Sequence, residues 1–385
     1  MDQQKINICF FYESIGLGGQ QTQMLNLIKH LNRMRHNIIW IYLKGTELES
    51  AVNIYASTIR IPVLLSSKDY IRNPWRLFSI GRNLYDLCQK KKVQILITGS
   101  GIGSLIGGIV SRVLGIPHYR LLGCSLIQVE KTLYKFYKTI QIDRIIDGYF
   151  GWPGVFNELS AKGVPNHKFI KLTPAVDSEM FYPFTEEKRD KIRVQLGIKP
   201  ETIVIGWIGR ISENMQVGNT VELAKILKNN GFKDFKLLFI GGGPWMNELK
   251  KKLKKYKLYK YSIMTGWVAY DQVNGFINAM DIIPLLEADP HGGSIIREAM
   301  SCGKLTISVD GPSGVQKDFM KPDATILVKE DNFIKKAAEI VISISKDSEK
   351  FEILCKNARL YAEKEMSFKA QAKIISDTLQ QKIKY

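Results

Sequence analysis

The 385-residue chain has only five cysteines, and none of them belongs to a C-x-x-C pair. They are scattered along the sequence at Cys9, Cys88, Cys124, Cys302 and Cys355. An odd and dispersed set gives no basis for a disulfide framework or for a thiolate zinc site. This usage of cysteine favours a protein of a reducing compartment.

Long hydrophobic runs are also scarce. The run Ile6–Tyr12 is short, and Glu13 follows it, so it indicates a first strand rather than a secretion signal. The stretch Val93–Val110 is long enough to raise the question of a membrane span, but it contains hydroxyl residues and several glycines. A strand, a glycine turn and a buried helix fit that composition better than a spanning helix.

Acidic residues are outnumbered by basic ones, 37 against 55, which gives a net charge of +18. A field of this sign attracts nucleic acid, an anionic membrane face or phosphorylated substrates. The chain has no RNP, helix-turn-helix or zinc-finger pattern, so nucleic acid is not an expected partner. The densest basic run, Lys250–Lys260, fits a solvated helix face and a membrane-contacting helix equally well.

Short apolar runs alternate with helical patterns in both halves of the chain, which indicates parallel sheets with covered faces. In the first half the predicted strands are Ile6–Tyr12, Ile38–Leu43, Ile59–Leu65 and Val93–Thr98, and the predicted helices are Gln21–Leu31, Trp75–Gln89 and Ser104–Leu114. In the second half the predicted strands are Thr202–Ile208, Phe235–Ile240, Ile263–Thr265, Asp281–Leu285 and Leu305–Val309, and the predicted helices are Thr220–Asn229 and Ser294–Ser301. The proline-marked segment Thr173–Pro183 separates the two series.

The sequence therefore predicts an α/β protein with two Rossmann-like, doubly wound domains that face each other across a cleft. Residues 1–180 are expected to form the first domain and residues 181–365 the second, while residues 366–385 form a helix that returns to the first. Ligands of such sheets bind at the carboxyl ends of the strands, which makes the cleft the expected site.

Glycine-rich turns follow three of the predicted strands, at Gly16-Leu17-Gly18-Gly19, Gly99–Gly103 and Gly241–Pro244. Glycine lets a backbone approach a ligand closely, and the N-terminus of a following helix favours an anion. Turn geometry alone is an equally good reason for one such glycine. The turn at Gly99–Gly103 lacks the G-x-G-x-x-G spacing and the acidic residue that binds ribose, which disfavours a nicotinamide dehydrogenase.

An arginine, Arg210, follows Gly209 at the end of the predicted strand Thr202–Ile208. Delivered there by a rigid strand, its planar guanidinium can hold a diphosphate with two parallel hydrogen bonds. The alternative is an ordinary surface arginine at a strand end.

The stretch Asp289–Gly303 carries the most specific pattern. A loop with two glycines leads into a helix predicted to begin near Ser294, whose positive end faces that loop. Glu298 lies about one turn into the helix, where its carboxylate can accept hydrogen bonds from two ribose hydroxyls. Three titratable side chains precede the two glycines: Glu287, Asp289 and His291. An ordinary βαβ crossover does not explain that cluster, although His291 by itself fits a capping side chain as well as a functional one.

In this order, these residues make the chain similar to the family 4 glycosyltransferases, the large retaining group with the GT-B fold. The resemblance covers most of the chain. Its parts are Gly18-Gly19, Pro174-Ala175-Val176-Asp177 with Phe181 and Pro183, Gly209-Arg210, Gly241 to Pro244, Thr265-Gly266-Trp267-Val268, and Glu298-Ala299-Met300 with Gly303.

The resemblance implies that a sugar is transferred with retention from a nucleotide-sugar donor in the second domain, without a metal or other cofactor. It places Arg210 on the diphosphate and Glu298 on the ribose. The absence of any Asp-x-Asp pair agrees with metal independence. The predicted catalytic residues are Arg210, His291 and Asp289. The predicted donor-binding residues are Gly18, Gly19, Gly209, Arg210, Gly243, Gly292, Gly293, Ser294 and Glu298.

Three positions depart from the family pattern. Ile211–Gly218 lacks the lysine that usually follows the arginine, and Pro290 stands where the family has a glutamate. The histidine expected at the edge of the first domain is missing around Leu122–Ser125, and the nearest one is His118. The many polar side chains of the donor loop favour a divergent enzyme over one that has lost catalysis.

The expected setting is cytoplasmic, on the inner face of the plasma membrane, with a glycan or a lipid-linked acceptor of surface polysaccharide or lipopolysaccharide synthesis. Two other functions stay open: a catalytically silent GT-B module that serves as a partner or scaffold, and a sugar-nucleotide epimerase of the same architecture. Leu126–Ile140 fits an interfacial helix or a plain amphipathic one. Trp152 and Trp267 fit stacking on a sugar or packing in a core.

Overall fold

The computed structural model of the protein describes residues 5–14, 19–44, 49–62, 74–99, 102–122, 142–161, 163–287, 294–310, 320–329 and 331–383. By its internal contacts the chain divides into two compact units. We call residues 1–173 with 368–385 the first unit, and residues 174–367 the second unit. The segment Leu126–Ile140, predicted as an amphipathic helix, lies outside the described residues.

The first unit contains a seven-stranded sheet in which all strand pairs are parallel. Its strands are β1 Asn7–Ser14, β2 Asn37–Lys44, β3 Ser57–Arg60, β4 Ile95–Thr98, β5 His118–Leu121, β6 Gly148–Gly151 and β7 Phe169–Lys171. In the interior strand β1, Ile8, Cys9, Phe10 and Phe11 are all fully buried. Such a continuous apolar run is what a parallel strand needs when helices cover both faces of its sheet.

In the described ranges of the first unit, the helices that connect these strands are α1 Gly19–Arg33, α2 Glu49–Asn53, α3 Pro74–Lys90, α4 Ile102–Leu114 and α5 Pro153–Ala161. Side chains of α3 and α4, among them Ile80 and Ile106, pack with Phe11 in one apolar cluster. The stretch Val93–Val110 thus folds as strand β4 followed by helix α4, as its composition predicts. No helix within the described residues is both long and apolar enough to cross a membrane.

The second unit contains a six-stranded sheet whose strand pairs are likewise parallel. Its strands are β8 Ile203–Ile208, β9 Phe235–Ile240, β10 Ser262–Met264, β11 Ile282–Leu285, β12 Leu305–Asp310 and β13 Ile326–Lys329. Its helices are α6 Glu186–Gln195, α7 Gly218–Asn229, α8 Met246–Lys255, α9 Val273–Ala279, α10 Ser294–Ser301, α11 Phe333–Ile344 and α12 Ser348–Glu365.

The last helix, α13 Phe368–Ile383, packs against α1 in the first unit. Its apolar residues Ile375 and Leu379 are fully buried. A hydrogen bond of 2.7 Å between His36 Nε2 and Ser376 Oγ adds a polar contact beside them. The carboxyl-terminal segment is therefore an integral part of the first unit.

The first six strands have the same order in both units. The first sheet runs β3-β2-β1-β4-β5-β6-β7 and the second β10-β9-β8-β11-β12-β13. Renumbered within its own unit, the second sheet has the order 3-2-1-4-5-6 of the doubly wound Rossmann fold, and the first sheet adds a seventh strand at the end of that order. The predicted fold class, two Rossmann-like parallel-sheet domains, is confirmed.

A buried ion pair fastens the amino-terminal ends of β8 and β11 to helix α6. The guanidinium of Arg193, which is fully buried, donates to Asp281 Oδ2 at 2.6 Å. The same carboxylate accepts from Arg189 at 3.0 Å and from the backbone N–H of Val204 at 2.8 Å. These contacts satisfy a charge pair that would otherwise be costly to bury.

Candidate functional site

The strand order of the second unit creates a switch point between β8 and β11, from which the connections lead in opposite directions. Gly209 and Arg210 directly follow β8, and Leu286 and Glu287 directly follow β11. Because the two strands are parallel, these residues lie at the same edge of the sheet. This edge is where doubly wound sheets bind their ligands.

Two glycine-containing loops run side by side at this edge. The N–H of Gly209 donates to Ile240 O at 3.0 Å, and the N–H of Ile211 donates to Gly242 O at 2.9 Å. A Cβ added to Gly241 would lie 2.0 Å from the carbonyl oxygen of Gly209. The two backbones approach each other so closely that no side chain fits between them.

The side chain of Arg210 is exposed at this place, while its backbone is fixed. The hydrogen bonds of its neighbours Gly209 and Ile211 extend the β8–β9 ladder past the strand ends, and Ile211 is fully buried. Within the described part of the chain, no residue forms an ion pair or a hydrogen bond with the Arg210 side chain. The guanidinium is therefore presented by a rigid backbone and is open to an external anion.

A substitution tests the close approach of the loops. We expect Gly241→Ala to lower the free energy of unfolding by at least about 2 kcal/mol, since it combines a backbone clash with a φ of 118°. Gly231→Ala is the matched control, because Gly231 also has a positive φ of 80° but open space around a Cβ. Urea unfolding of both variants measures the difference. Equal losses would show that φ alone, and not the loop contact, requires glycine.

Helix α10 carries two of the predicted donor-binding residues. Ser294 is its exposed first residue, and Glu298 lies one turn further and is buried. Burial raises the pKa of the Glu298 carboxyl, while a hydrogen bond with the Ser294 side chain and the charge of Arg297 act in the opposite direction. Arg297 is itself tied down through Nε to Ala175 O at 3.3 Å. The first turn of α10 thus holds one carboxylate in a defined position.

A second carboxylate, Glu287, stands directly after β11 at the switch point. It is partly buried, and burial raises its pKa from 4.5 to about 7. The sequence identified Glu287 only as part of a cluster; its burial makes it a candidate site residue in its own right. Carboxyl groups with such shifts concentrate at functional sites.

The raised pKa of Glu287 predicts a pH-dependent stability. Because the folded state favours the protonated carboxyl, its contribution is present below pH 4.5 and is lost as the pH rises through 4.5 to about 7. Glu287→Gln stays neutral, so its stability relative to the parent should grow over this window, by about 1 to 3 kcal/mol at pH 8. Melting temperatures between pH 5 and pH 8.5 measure this effect. The control is Glu352→Gln at an exposed residue, which should show no such trend. If the melting temperatures of both variants differed from that of the parent by the same amount at every pH, the raised pKa of Glu287 would be contradicted.

Two further residues of this edge are not in the predicted set. Asn219, in the first turn of α7, donates from Nδ2 to Leu286 O at 2.6 Å and so holds the end of β11. Trp267 follows β10 and is 69% exposed, with its indole Nε1 2.8 Å from a Cβ placed on Gly242. Trp267 is thus not a core residue, whereas Trp152 packs at the margin of an apolar cluster of the first unit. The sequence signal that could have identified Asn219 is its position directly before the predicted helix Thr220–Asn229.

The remaining predicted residues are distributed as follows. Gly209, Arg210 and Gly243 lie in the two loops, and Ser294 and Glu298 lie on α10. Gly19 begins α1 of the first unit. The residues outside the described ranges are Gly18, Asp289, His291, Gly292 and Gly293. The catalytic assignments of Asp289 and His291 stay predictions.

His118 is the histidine nearest in sequence to the position where the family's histidine is missing, but its side chain is hydrogen-bonded inside the first unit. It is fully buried on β5, with Nε2 2.9 Å from Thr98 Oγ1 and Nδ1 3.1 Å from Ile145 O. Burial lowers its pKa to about 4. His118 is therefore a structural side chain of the first unit's core. Over the ranges described, no three His, Cys, Asp or Glu side chains gather as metal ligands; metal independence stays a prediction.

Two Rossmann-like parallel-sheet domains in one chain are the architecture of the GT-B fold. Residues 188–361 match the family model of the glycosyl transferases group 1. That match spans the second unit from α6 to α12 and includes the candidate site.

Similarities to known proteins extend over nearly the whole chain. The chain is 24% identical over 364 residues to the UDP-Gal:alpha-D-GlcNAc-diphosphoundecaprenol alpha-1,3-galactosyltransferase of Escherichia coli, covering 89% of this chain and 88% of that protein. Anabaena HepE in complex with UDP superposes with a TM-score of 0.76 at 15% identity, covering 98% and 100% of the two chains. The apo form of the lipopolysaccharide outer core galactosyltransferase WaaB superposes with a TM-score of 0.72 at 16% identity, covering 99% of this chain and 100% of that chain.

Proposed function

We propose that the protein transfers a sugar, with retention and without a metal, from a nucleotide sugar to a glycan or lipid-linked acceptor. The observation that carries this proposal is Arg210. Its exposed guanidinium follows a glycine at the switch point of the second unit, on a backbone locked by flanking hydrogen bonds. A doubly charged diphosphate is the ligand that such an arginine fits best.

The chemistry follows from where charge develops. When the sugar leaves, negative charge builds on the diphosphate oxygens, and Arg210 stabilises that charge. Because its backbone is already fixed, little reorganisation is needed at the moment of reaction. Glu298 accepts hydrogen bonds from the ribose hydroxyls. Burial raises the pKa of its carboxyl, and the hydrogen bond with Ser294 and the charge of Arg297 oppose part of that shift.

Uridine diphosphate is the proposed nucleotide. HepE, with the same fold, was crystallised with UDP, and the Escherichia coli relative uses a UDP-Gal donor and a diphosphoundecaprenol-linked acceptor by name. On this basis we assign the protein to surface polysaccharide or lipopolysaccharide synthesis. Its proposed location is the cytoplasmic face of the plasma membrane, where a lipid-linked acceptor is accessible.

Thermal stability in the presence of nucleotides tests the proposal. UDP at 100 times its dissociation constant should stabilise the protein by about 2.7 kcal/mol, whereas ADP and GDP at the same concentration should shift the melting temperature much less. Glu298→Gln should reduce the UDP shift. A shift with UDP but no sugar transferred from any UDP-sugar would identify the silent module, and a UDP-sugar converted without an acceptor would identify the epimerase. No shift with any nucleotide would refute the proposed site.

A further inference from the structure

Residues 222–260 of the second unit hold a large part of the net charge of the protein. This segment contains eleven lysines, no arginine and three acidic residues, so its net charge is +8 out of +18 for the whole chain. The segment comprises most of α7, strand β9, helix α8 and the turn that follows. The charge is therefore concentrated in about a tenth of the sequence.

The fold brings lysines of α7 and α8 together at Tyr256, the residue directly after α8. Lys225 Nζ of α7 lies 4.5 Å from the Tyr256 ring centroid, and Lys255 Nζ lies 5.7 Å from it. Lys228 Nζ donates to Tyr256 O at 3.2 Å. These contacts join α7 and α8 into one continuous surface. We call it the lysine surface, and its members are Lys225, Lys228, Lys236, Lys250, Lys251, Lys252, Lys254, Lys255, Lys257 and Lys260.

Acidic side chains neutralise only a small part of this surface. Glu222 is shared by Lys225 and Lys252, at 3.4 Å each, and Glu248 pairs with Lys251 at 2.7 Å. In the described part of the chain, the other exposed lysines of the surface form no ion pair; they are Lys250, Lys254, Lys255, Lys257 and Lys260. Uncompensated like charges at this density are unfavourable unless an anionic partner screens them.

The chemistry of the surface indicates which polyanion fits. Lysine is a compact, strongly hydrated charge without the planar fork that arginine uses for bidentate recognition of individual phosphates. Tyr259, 45% exposed, sits under Lys254 Nζ with 5.6 Å to its ring centroid, and tyrosines suit the interface of a bilayer. Clusters of four to eight basic residues on an amphipathic helix are typical of binding to anionic lipid headgroups.

We propose that the lysine surface of α7 and α8 docks the protein on an anionic phospholipid bilayer. Leu249 and Leu253, the apolar side of α8, are fully buried in the core of the second unit and are not available for insertion. Contact is therefore electrostatic, with the helix lying on the headgroups. This inference rests on the proposed location of the enzyme at a membrane and assigns that contact to a specific surface.

Vesicle binding tests the inference with the full chain. The protein should bind vesicles with 30 mol% phosphatidylglycerol at 0.1 M salt, should not bind pure phosphatidylcholine, and should be released at 1 M salt, where the screening length falls from about 10 Å to 3 Å. Replacing Lys250, Lys254, Lys255 and Lys260 together by alanine should weaken binding by about 100-fold or more, since each lysine near such a surface contributes about fivefold.

The matched control removes four exposed lysines of the same unit, on α11 and α12: Lys335, Lys336, Lys350 and Lys364, each changed to alanine. It should retain at least a third of the parent's binding. Equal losses in the two variants would show that net charge and not this surface is responsible, and would overturn the inference. Tighter binding of a short single-stranded RNA than of vesicles, through the same four lysines, would overturn it as well.

The UDP-dependent thermal shift separates this inference from the proposed function. The four-lysine variant should keep the full UDP shift, because none of its substituted residues lies at the switch point of β8 and β11. A retained shift with lost vesicle binding supports both proposals. A protein that shows the UDP shift but never binds anionic vesicles would disprove the docking surface and leave the transferase assignment intact.

Discussion

Replacing Arg210 by alanine is expected to slow sugar transfer by about 100- to 1,000-fold, the usual effect of removing one preorganised group that stabilises developing negative charge. Folding should be nearly unaffected. The side chain is exposed and has no partner within the described ranges, so the free energy of unfolding should change by less than about 0.5 kcal/mol. The combination of a large kinetic effect with an unchanged stability distinguishes a ligand contact from a structural arginine.

Initial rates of UDP release from the UDP-sugar that the parent protein turns over provide the measurement. Arg210→Lys keeps the charge but loses the planar fork, so it should recover only part of the rate. Arg82→Ala is the control, since Arg82 is an exposed arginine of α3 with a single ion pair to Asp86. Rates of Arg210→Ala and Arg82→Ala that both match the parent would remove Arg210 from the site.

The fold class follows from the sequence because the buried strands of a doubly wound sheet are continuous apolar runs. Strand β9 at Phe235–Ile240 and helix α10 at Ser294–Ser301 have the predicted bounds. Both are delimited by glycines or by a change of period, which are strong local signals. The predicted strand Ile59–Leu65 is less accurate, since β3 spans Ser57–Arg60.

Strands without an apolar run were missed. Strand β5, His118–Leu121, carries His118 and Arg120, yet both side chains are buried. Arg120 Nε donates to Gly99 O at 3.0 Å, and the two ring nitrogens of His118 also have partners. A polar side chain that is buried because it is hydrogen-bonded looks the same in sequence as one on the surface.

The candidate site shows the same division. A strand followed by glycine and arginine predicts Arg210 at the sheet edge, and in the structure Arg210 comes two residues after the end of β8; its role at the site stays a prediction. The raised pKa of Glu287 depends on what packs around it, which no local pattern encodes. The lysine surface likewise requires α7 and α8 to lie side by side, so that Lys225 meets the ring of Tyr256, 31 positions further along the chain.

The largest loss of stability is expected from Asp281→Ala. This substitution leaves the fully buried guanidinium of Arg193 without its counter-charge and the N–H of Val204 without its acceptor. Removing one partner of a buried ion pair typically costs about 3 to 5 kcal/mol. Since the free energy of unfolding of a whole domain is only about 5 to 15 kcal/mol, the second unit should become only marginally stable.

Urea unfolding followed by circular dichroism measures the loss, and hydrogen exchange locates it. Protection should fall for β8 and β11 and stay unchanged for β1, which belongs to the first unit. Asp377→Ala is the control, because its ion pair with Lys373 on α13 is exposed and should contribute less than about 1 kcal/mol. Similar losses for the two aspartates would contradict a special role for the buried pair. A loss confined to the second unit would show that this ion pair between α6 and the sheet stabilises the second unit. The ion pair lies at the amino-terminal ends of the strands, whereas Arg210 lies at their carboxyl ends, so it would support the candidate site only through the stability of the sheet.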